Sequence, residues 1–214
     1  MTDALLSGLL LVAILALFAW DQYRLYVARY ELAALQRATL RDPLTGLANR
    51  AGLAAGWEQL APLRPWVVVV DLDGFKPVND THGHAAGDLV LTAVASRLRT
   101  VHGVAARLGG DEFAALLLDT DPATAARQLA AAIAASVRLP SGVAVSVTAS
   151  IGLAPASPAG LAAALADADA AMYRAKTTRA GVVAFDPLRD DHATANPRPV
   201  LRVRDLGTAV GVGR

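Results

Sequence analysis

VAARLGGDEFAALLL, Val104 to Leu118, reads as two short strands folded back on one another. Apolar residues run up to Leu108 and resume at Phe113, and the intervening GGD supplies the glycines of a tight hairpin turn. Two adjacent carboxylates, Asp111 and Glu112, sit at the tip of this otherwise apolar hairpin. Charges so placed need a partner.

The segments on either side set the hairpin in a larger order. Upstream, DPLTGLANR (Asp42–Arg50) carries Pro43 and Gly46 and leads into a helix ending near Leu60. Trp66 to Leu72, WVVVVDL, is β-branched and almost uniformly apolar, as expected of a central strand covered on both faces. A helix is predicted over Gly83–Val101 and, after the hairpin, another over Pro122–Arg138. Then follow a strand over Val143–Leu153, a helix over Gly160–Lys176 and a strand over Val182–Phe185. Strand, helix, strand, strand, helix, strand is the order of a ferredoxin-like α/β sandwich with a mainly antiparallel central sheet.

Composition narrows the chemistry. The 214 residues, 54% hydrophobic, suffice for one substantial domain with appendages. Twenty basic residues nearly balance nineteen acidic ones, so no bulk field favours nucleic acid, and an anionic ligand must be held locally. The absence of cysteine excludes disulfides, thiolate metal sites and cysteine nucleophiles, and leaves carboxylate-bound hard cations open.

Part of the positive mean hydropathy, +0.39, comes from the N-terminus. Ala4 to Trp20, ALLSGLLLVAILALFAW, carries no charge, and as a helix it would span roughly 25 Å, close to the thickness of a bilayer core. Tyr23 and Tyr26 suit the headgroup level, and Arg24, Arg29, Arg37 and Arg41 place the downstream bulk in the cytoplasm. A cleaved signal peptide fits less well, because Asp3 replaces a basic start and no small-residue cleavage site follows. The expectation is a retained single-pass anchor in the inner membrane over 1–22. A helical stalk over 23–41 would follow, with a coiled-coil seam through Leu25, Ala28, Leu32, Leu35 and Thr39. A domain over 42–186 and a flexible tail over 187–214 complete the chain.

Asp71 closes the strongest strand, and a ferredoxin-like sheet can lay that strand beside the hairpin, bringing Asp71, Asp111 and Glu112 together. Such a cluster repels itself unless a cation occupies it, and magnesium suits an all-oxygen set. Gly74, Phe75 and Lys76 follow at once, offering backbone N–H groups and an ammonium as a phosphate cradle. His82 and His84 stand two residues apart, which does not set them on one helix face, so they read as turn-shaping residues. Trp57 and Trp66 read as core residues.

DPLTGLANR, DLDGFKPVNDTHGHAAGD, RLGGDEF, SIG and DAAMYRAK together resemble, in order and with comparable spacing, the signature blocks of the GGDEF domain family, the diguanylate cyclases. The resemblance runs from about Asp42 to Phe185 and omits the N-terminal segment and the tail. It implies a palm-type, nucleotidyl-cyclase-like fold and the condensation of two GTP into cyclic di-GMP with loss of two pyrophosphates. The assembly would be a homodimer, with no nucleic acid involved. By similarity, Asp71, Asp111 and Glu112, with the carbonyl of Leu72, would hold Mg2+, with Mn2+ as the alternative ion. Glu112 would assist at the metal or in deprotonating the attacking hydroxyl. Asn79 and Asp88 match the positions that read guanine, Gly109 and Gly110 would let the nucleotide approach the backbone, and Lys76 and Lys176 match contacts to terminal phosphates.

Two departures stand out. After Lys176 the family runs through a glycine and then an arginine, whereas this chain has KTTRAG, with Arg179 one position early. The R-x-x-D of product-inhibited members is replaced by Thr100, Val101, His102 and Gly103, which implies no inhibition by cyclic di-GMP through that site. A catalytically weak or inactive module that binds GTP or cyclic di-GMP and regulates a partner is the alternative reading.

Overall fold

The computed structural model describes residues 15–27 and 40–190, and the chain divides into two units, Met1–Thr39 and Leu40–Arg214. In the first unit, residues 15–27 form a helix whose Leu17, Phe18, Trp20 and Tyr23 are exposed. Residues 1–14 of the expected anchor and 28–39 of the expected stalk lie outside the described residues. Among the described residues no helix is long and apolar enough to cross a membrane, which overturns the expected transmembrane helix and its single-pass placement in the inner membrane. A crossing takes about 20 predominantly apolar residues, and charge enters the described segment at Asp21 and Arg24.

The second unit is built on β1 (Trp66–Asp73). Val67, Val68, Val69 and Val70 are all buried, and alternate residues enter different cores. Val68, Val70 and Leu72 join one cluster while Val67 and Val69 join the other, as the two-residue period of a strand dictates. The first core is closed by three helices, α2 (Phe75–His82), α3 (His84–Leu98) and α4 (Pro122–Ala134), through Phe75, Val78, Val94, Leu98, Leu129 and Ile133. On the opposite face α1 (Arg50–Leu60) and α5 (Leu161–Thr178) contribute Leu53, Trp57, Leu161, Leu165 and Met172.

Five strands form the sheet in the order β2 (Gly103–Gly109), β3 (Glu112–Leu117), β1, β6 (Thr148–Pro155), β7 (Val182–Ala184). All neighbours are antiparallel except β6 and β7. The fold is thus the expected α/β palm-type sandwich with one parallel edge. A separate hairpin pairs β4 (Val137–Arg138) with β5 (Ala144–Val145). It shortens the helix expected to reach Arg138 and divides the strand expected from Val143. Ala135 leaves the helix with an extended ψ of 138°, and β-branched Val137 begins the strand.

Helix α2 is a further difference, since the sequence presents 75–82 as a connection. Its Pro77 is tolerated in the first turn, where amide groups have no helical acceptor. Burial of Phe75 and Val78 holds the helix in place. At the C-terminal side of the domain, 191–214 of the expected tail lie outside the described residues, while residues 187–189 form a turn. The Asp190 side chain, fully buried, pairs with Arg174 Nε at 2.5 Å and accepts the Asp186 amide at 2.7 Å.

Candidate active site

The β1–β3 register sets Asp71 directly opposite Glu112. Side chains directly opposite on an antiparallel pair share a face of the sheet, so these two carboxylates stand beside each other. Asp111, one residue earlier, belongs to the hairpin tip, and its carbonyl accepts the Leu72 amide at 3.3 Å. The three acids are thus close in the fold, and Asp111 acts electrostatically on Asp71. The tip needs its glycines: Gly109 and Gly110 have φ of 148° and 55°, and a β-carbon at either would meet open space. Backbone conformation demands glycine here, and nothing blocks a ligand from approaching.

Asp71 receives an ammonium from α5. Lys176 Nζ lies 2.5 Å from Asp71 Oδ1. Burial nevertheless pushes the Asp71 carboxyl above its ordinary value; Lys176 opposes the shift, and Asp111 and Asp73 reinforce it. On the lysine side burial disfavours the charge, but Asp71 outweighs it and the ammonium is held above its usual range. One cation does not neutralise this group of acids.

Asp169, seven residues before Lys176 on α5, adds a fourth charge. Its carboxyl is buried and pushed up to about 6, first by desolvation and then by Glu112 and Asp71. Sequence reading missed this residue. The available signal was that Asp169, the first residue of DAAMYRAK, stands seven residues ahead of Lys176, a spacing that returns to the same helix face, whereas nearby Asp167 does not share it.

Beside the acids is a recess of about 480 Å³ lined by Asp73, Thr148, Ser150, Lys176, Arg179 and Gly181. Ser150 Oγ donates to Asp73 Oδ2 at 2.9 Å. Lys176 and Arg179 are both exposed at this recess, so two expected phosphate contacts lie together. Arg179 caps α5 in the left-handed region, with φ 55°. Gly74 caps the start of α2, whose first residues are Phe75 and Lys76; the Phe75 ring is buried and Lys76 is exposed. Asn79 lies on α2 and exposed Asp88 on α3, next to Gly87, whose α-carbon faces the Asn79 carboxamide. These two expected guanine readers thus occupy the α2–α3 corner.

A brace stands behind the hairpin tip. Arg107 Nε and Nη2 donate to Gly110 O at 3.0 and 2.8 Å, and its Nη1 lies 3.3 Å from Asp42. Arg50 Nε donates to Leu108 O at 2.9 Å. The Arg107 amide donates to Ala48 O at 2.8 Å. Residues of the DPLTGLANR block therefore hold the hairpin that carries Asp111.

The donor set suits a hard divalent ion. Carboxylate oxygens on adjacent strands carry more negative charge than one ammonium cancels. Among the described residues no three acidic or imidazole side chains already form a metal cage. Magnesium characteristically uses one or two carboxylates and completes its shell with substrate phosphates and water, which is what Asp71 and its neighbours offer next to a basic recess.

The chain matches known proteins over this same region. The family model described as "Diguanylate cyclase, GGDEF domain" covers residues 39–181. Diguanylate cyclase DgcN of Escherichia coli is 41% identical over 161 residues, an alignment covering 69% of this chain and 40% of DgcN. The GGDEF domain of TpbB from Pseudomonas aeruginosa superposes with a TM-score of 0.60 at 39% identity, covering 68% of this chain and 94% of that one. The coiled coil and GGDEF domain of DgcB from Caulobacter crescentus, solved in complex with c-di-GMP, gives a TM-score of 0.67 at 29% identity, covering 79% and 97%. The chain spans less than half of the length of DgcN. A match across most of the second unit, on the sheet that carries the paired acids, makes this chain a member of the diguanylate cyclase GGDEF domain family.

Proposed function

We propose that the protein condenses two GTP into cyclic di-GMP with release of two pyrophosphates, using the domain over 42–186 as a homodimer in which each copy holds one nucleotide. The observation that carries this reading is the opposition of Asp71 and Glu112 across β1 and β3, with Asp111 at the tip and a basic recess adjoining. The 3′-hydroxyl oxygen of each GTP attacks the α-phosphorus of the other, the α–β phosphoanhydride bond breaks, and pyrophosphate departs with the bonding electrons. Two-fold symmetry presents each hydroxyl to the opposite phosphorus.

Asp71, Asp111 and Glu112, with the Leu72 carbonyl, hold the divalent ion, Mg2+ or Mn2+. That ion supplies Lewis-acid stabilisation of charge on the phosphoryl oxygens. Glu112 also serves the hydroxyl proton. Lys176 leaves Asp71 for the terminal phosphates, joined by Lys76 and by Arg179 from the recess. Gly74, Phe75, Gly109 and Gly110 offer backbone to the triphosphate. Asn79 and Asp88 read the guanine edge, the carboxylate accepting from N1–H and N2–H, which adenine does not offer in the same pattern.

Feedback through the Thr100–Gly103 position is absent in this reading. A β-carbon at Gly103 would lie 1.9 Å from Leu116 O, so the acid of an R-x-x-D motif has no room here without backbone movement.

The test incubates purified protein with GTP and Mg2+ and follows cyclic dinucleotide by chromatography at several protein concentrations. Product forming at a rate that rises more steeply than linearly until pairing saturates supports a shared site. GTP binding without turnover would instead make the chain a regulatory module.

A further inference from the structure

We infer that Gly87 is a positioning residue for base recognition: its missing side chain is the seat of the Asn79 carboxamide, which rests on the reading of Asn79 as a guanine contact. A β-carbon built on Gly87 would lie 2.0 Å from Asn79 Oδ1 and 2.9 Å from Asn79 Cγ, well inside van der Waals contact, with the Phe75 ring at 3.2 Å. The carboxamide therefore occupies the volume that any other residue at 87 would fill.

The surrounding backbone decides what must give. Asn79 O accepts the Gly83 amide at 2.8 Å, and Gly83 O accepts the amides of Ala86 and Gly87 at 3.1 and 3.3 Å. These bonds tie the end of α2 to the first turn of α3. The Phe75 ring is buried in the core. What remains free to move is the Asn79 side chain, through its χ angles, and a methyl at 87 drives it out of its seat. Elsewhere a glycine meets main chain instead: a β-carbon at Gly152 would approach Ala168 O to 2.0 Å and Met172 N to 2.3 Å, where only backbone can yield. Gly152 is required by the fold, whereas Gly87 is required by the orientation of one amide.

Asp88 follows Gly87 directly, so one short segment of α3 both supplies a base-facing acid and seats the second reader. A residue at 87 with a side chain leaves Asp88 in place and turns Asn79 away, weakening guanine binding without abolishing it.

The experiment measures equilibrium binding of non-hydrolysable GTP and ATP analogues, with thermal unfolding, for Gly87→Ala, Asn79→Ala and the double variant. Gly87→Ala is expected to weaken GTP-analogue binding by about tenfold, the scale of one good hydrogen bond. It should narrow the preference over the ATP analogue and leave the melting temperature close to that of the parent. The double variant should bind no more weakly than Asn79→Ala, because the methyl then has no carboxamide to displace. Full affinity in Asn79→Ala overturns the guanine reading itself. Loss in Asn79→Ala but not in Gly87→Ala overturns the Gly87 inference alone. Equal loss of stability in Gly87→Ala and the double variant also overturns it, since Gly87 would then be a packing glycine.

Discussion

Two carboxylates of the second unit sit beside cations, yet their environments act on them in opposite directions. At Asp42 burial is opposed and outweighed by the hydroxyl and amide of Thr45 and by Arg107, and the carboxyl is held below its ordinary range. At Asp71 burial wins, with Asp111 and Asp73 adding to it against Lys176. Asp42 has its oxygens filled by the Thr45 amide at 2.8 Å, the Thr45 hydroxyl at 2.6 Å and the Arg107 guanidinium. Asp71 has one ammonium and two further acids. The first arrangement is closed and braces the hairpin. The second sets several acids against one ammonium, and that is the physical difference between a closed structural ion pair and the site proposed above for a divalent ion.

Charge-removing substitutions at the two positions should separate these roles most sharply. Asp71→Asn is expected to lower the rate of cyclic di-GMP formation by about 10³-fold, on the scale of removing a group that stabilises transition-state charge, with no loss of thermal stability. Asp42→Asn should do the reverse, costing about 1–3 kcal/mol of stability by leaving Arg107 and Thr45 with weakened partners, while the folded fraction keeps most of its turnover. Initial rates and denaturant melts on the two variants check this. Comparable rate losses at both positions would erase the distinction.

Asp169 extends the comparison to pH. Its carboxyl stands at about 6, against 3.8 for an unperturbed aspartate, so the folded state binds the proton more tightly. Its contribution is therefore favourable below pH 3.8 and is lost as pH rises to 6. At pH 7 the ionised group costs up to about 3 kcal/mol. With metal removed by a chelator, Asp169→Asn should be more stable than the parent at pH 7, and the difference should vanish towards pH 4. Asp42 has the opposite sign: its stabilisation is present above the unfolded value and is lost as pH falls through its depressed folded value, so Asp42→Asn should flatten the acid limb of the stability curve. Urea midpoints taken at half-unit pH steps distinguish the two slopes, and parallel profiles for both variants would contradict the contrast.

What was legible in the sequence follows from the range of the interactions involved. β1 and the β2–β3 hairpin could be read because a β-branched run and a glycine turn are local signals, and their pairing followed from strand order. That pairing was enough to bring Asp71 to Glu112. Helix α2 was hidden because Pro77, Asn79, Asp80 and Thr81 form helices poorly on their own, and burial of Phe75 and Val78 overrides that preference. Asp169 and the Asp42–Arg107 brace depend on contacts between residues far apart in the chain. The apolar N-terminal run was read as a membrane crossing from its uncharged stretch, the tyrosines after it and the downstream arginines, and among the described residues no helix is long and apolar enough to cross a membrane.

The smallest effect concerns Arg179, where the basic recess meets backbone geometry. It caps α5 at φ 55° and ψ 32°, a conformation that glycine adopts freely and a residue with a β-carbon adopts at a cost. Arg179→Gly relieves that penalty, on the order of 1 kcal/mol, and so should raise the melting temperature by a few degrees. The same change removes one of the two basic side chains lining the recess beside Asp73. If Arg179 contributes to phosphate binding as Lys176 does, the KM for GTP should rise severalfold while kcat stays near the parent value, because the group acts on a distal phosphate and not on the reacting phosphorus. A variant that is more stable with an unchanged KM would show that the arginine is only a strained cap, leaving Lys176 to hold the charge of the recess. That outcome would tie the whole anion-binding role of α5 to the residue that already pairs with Asp71.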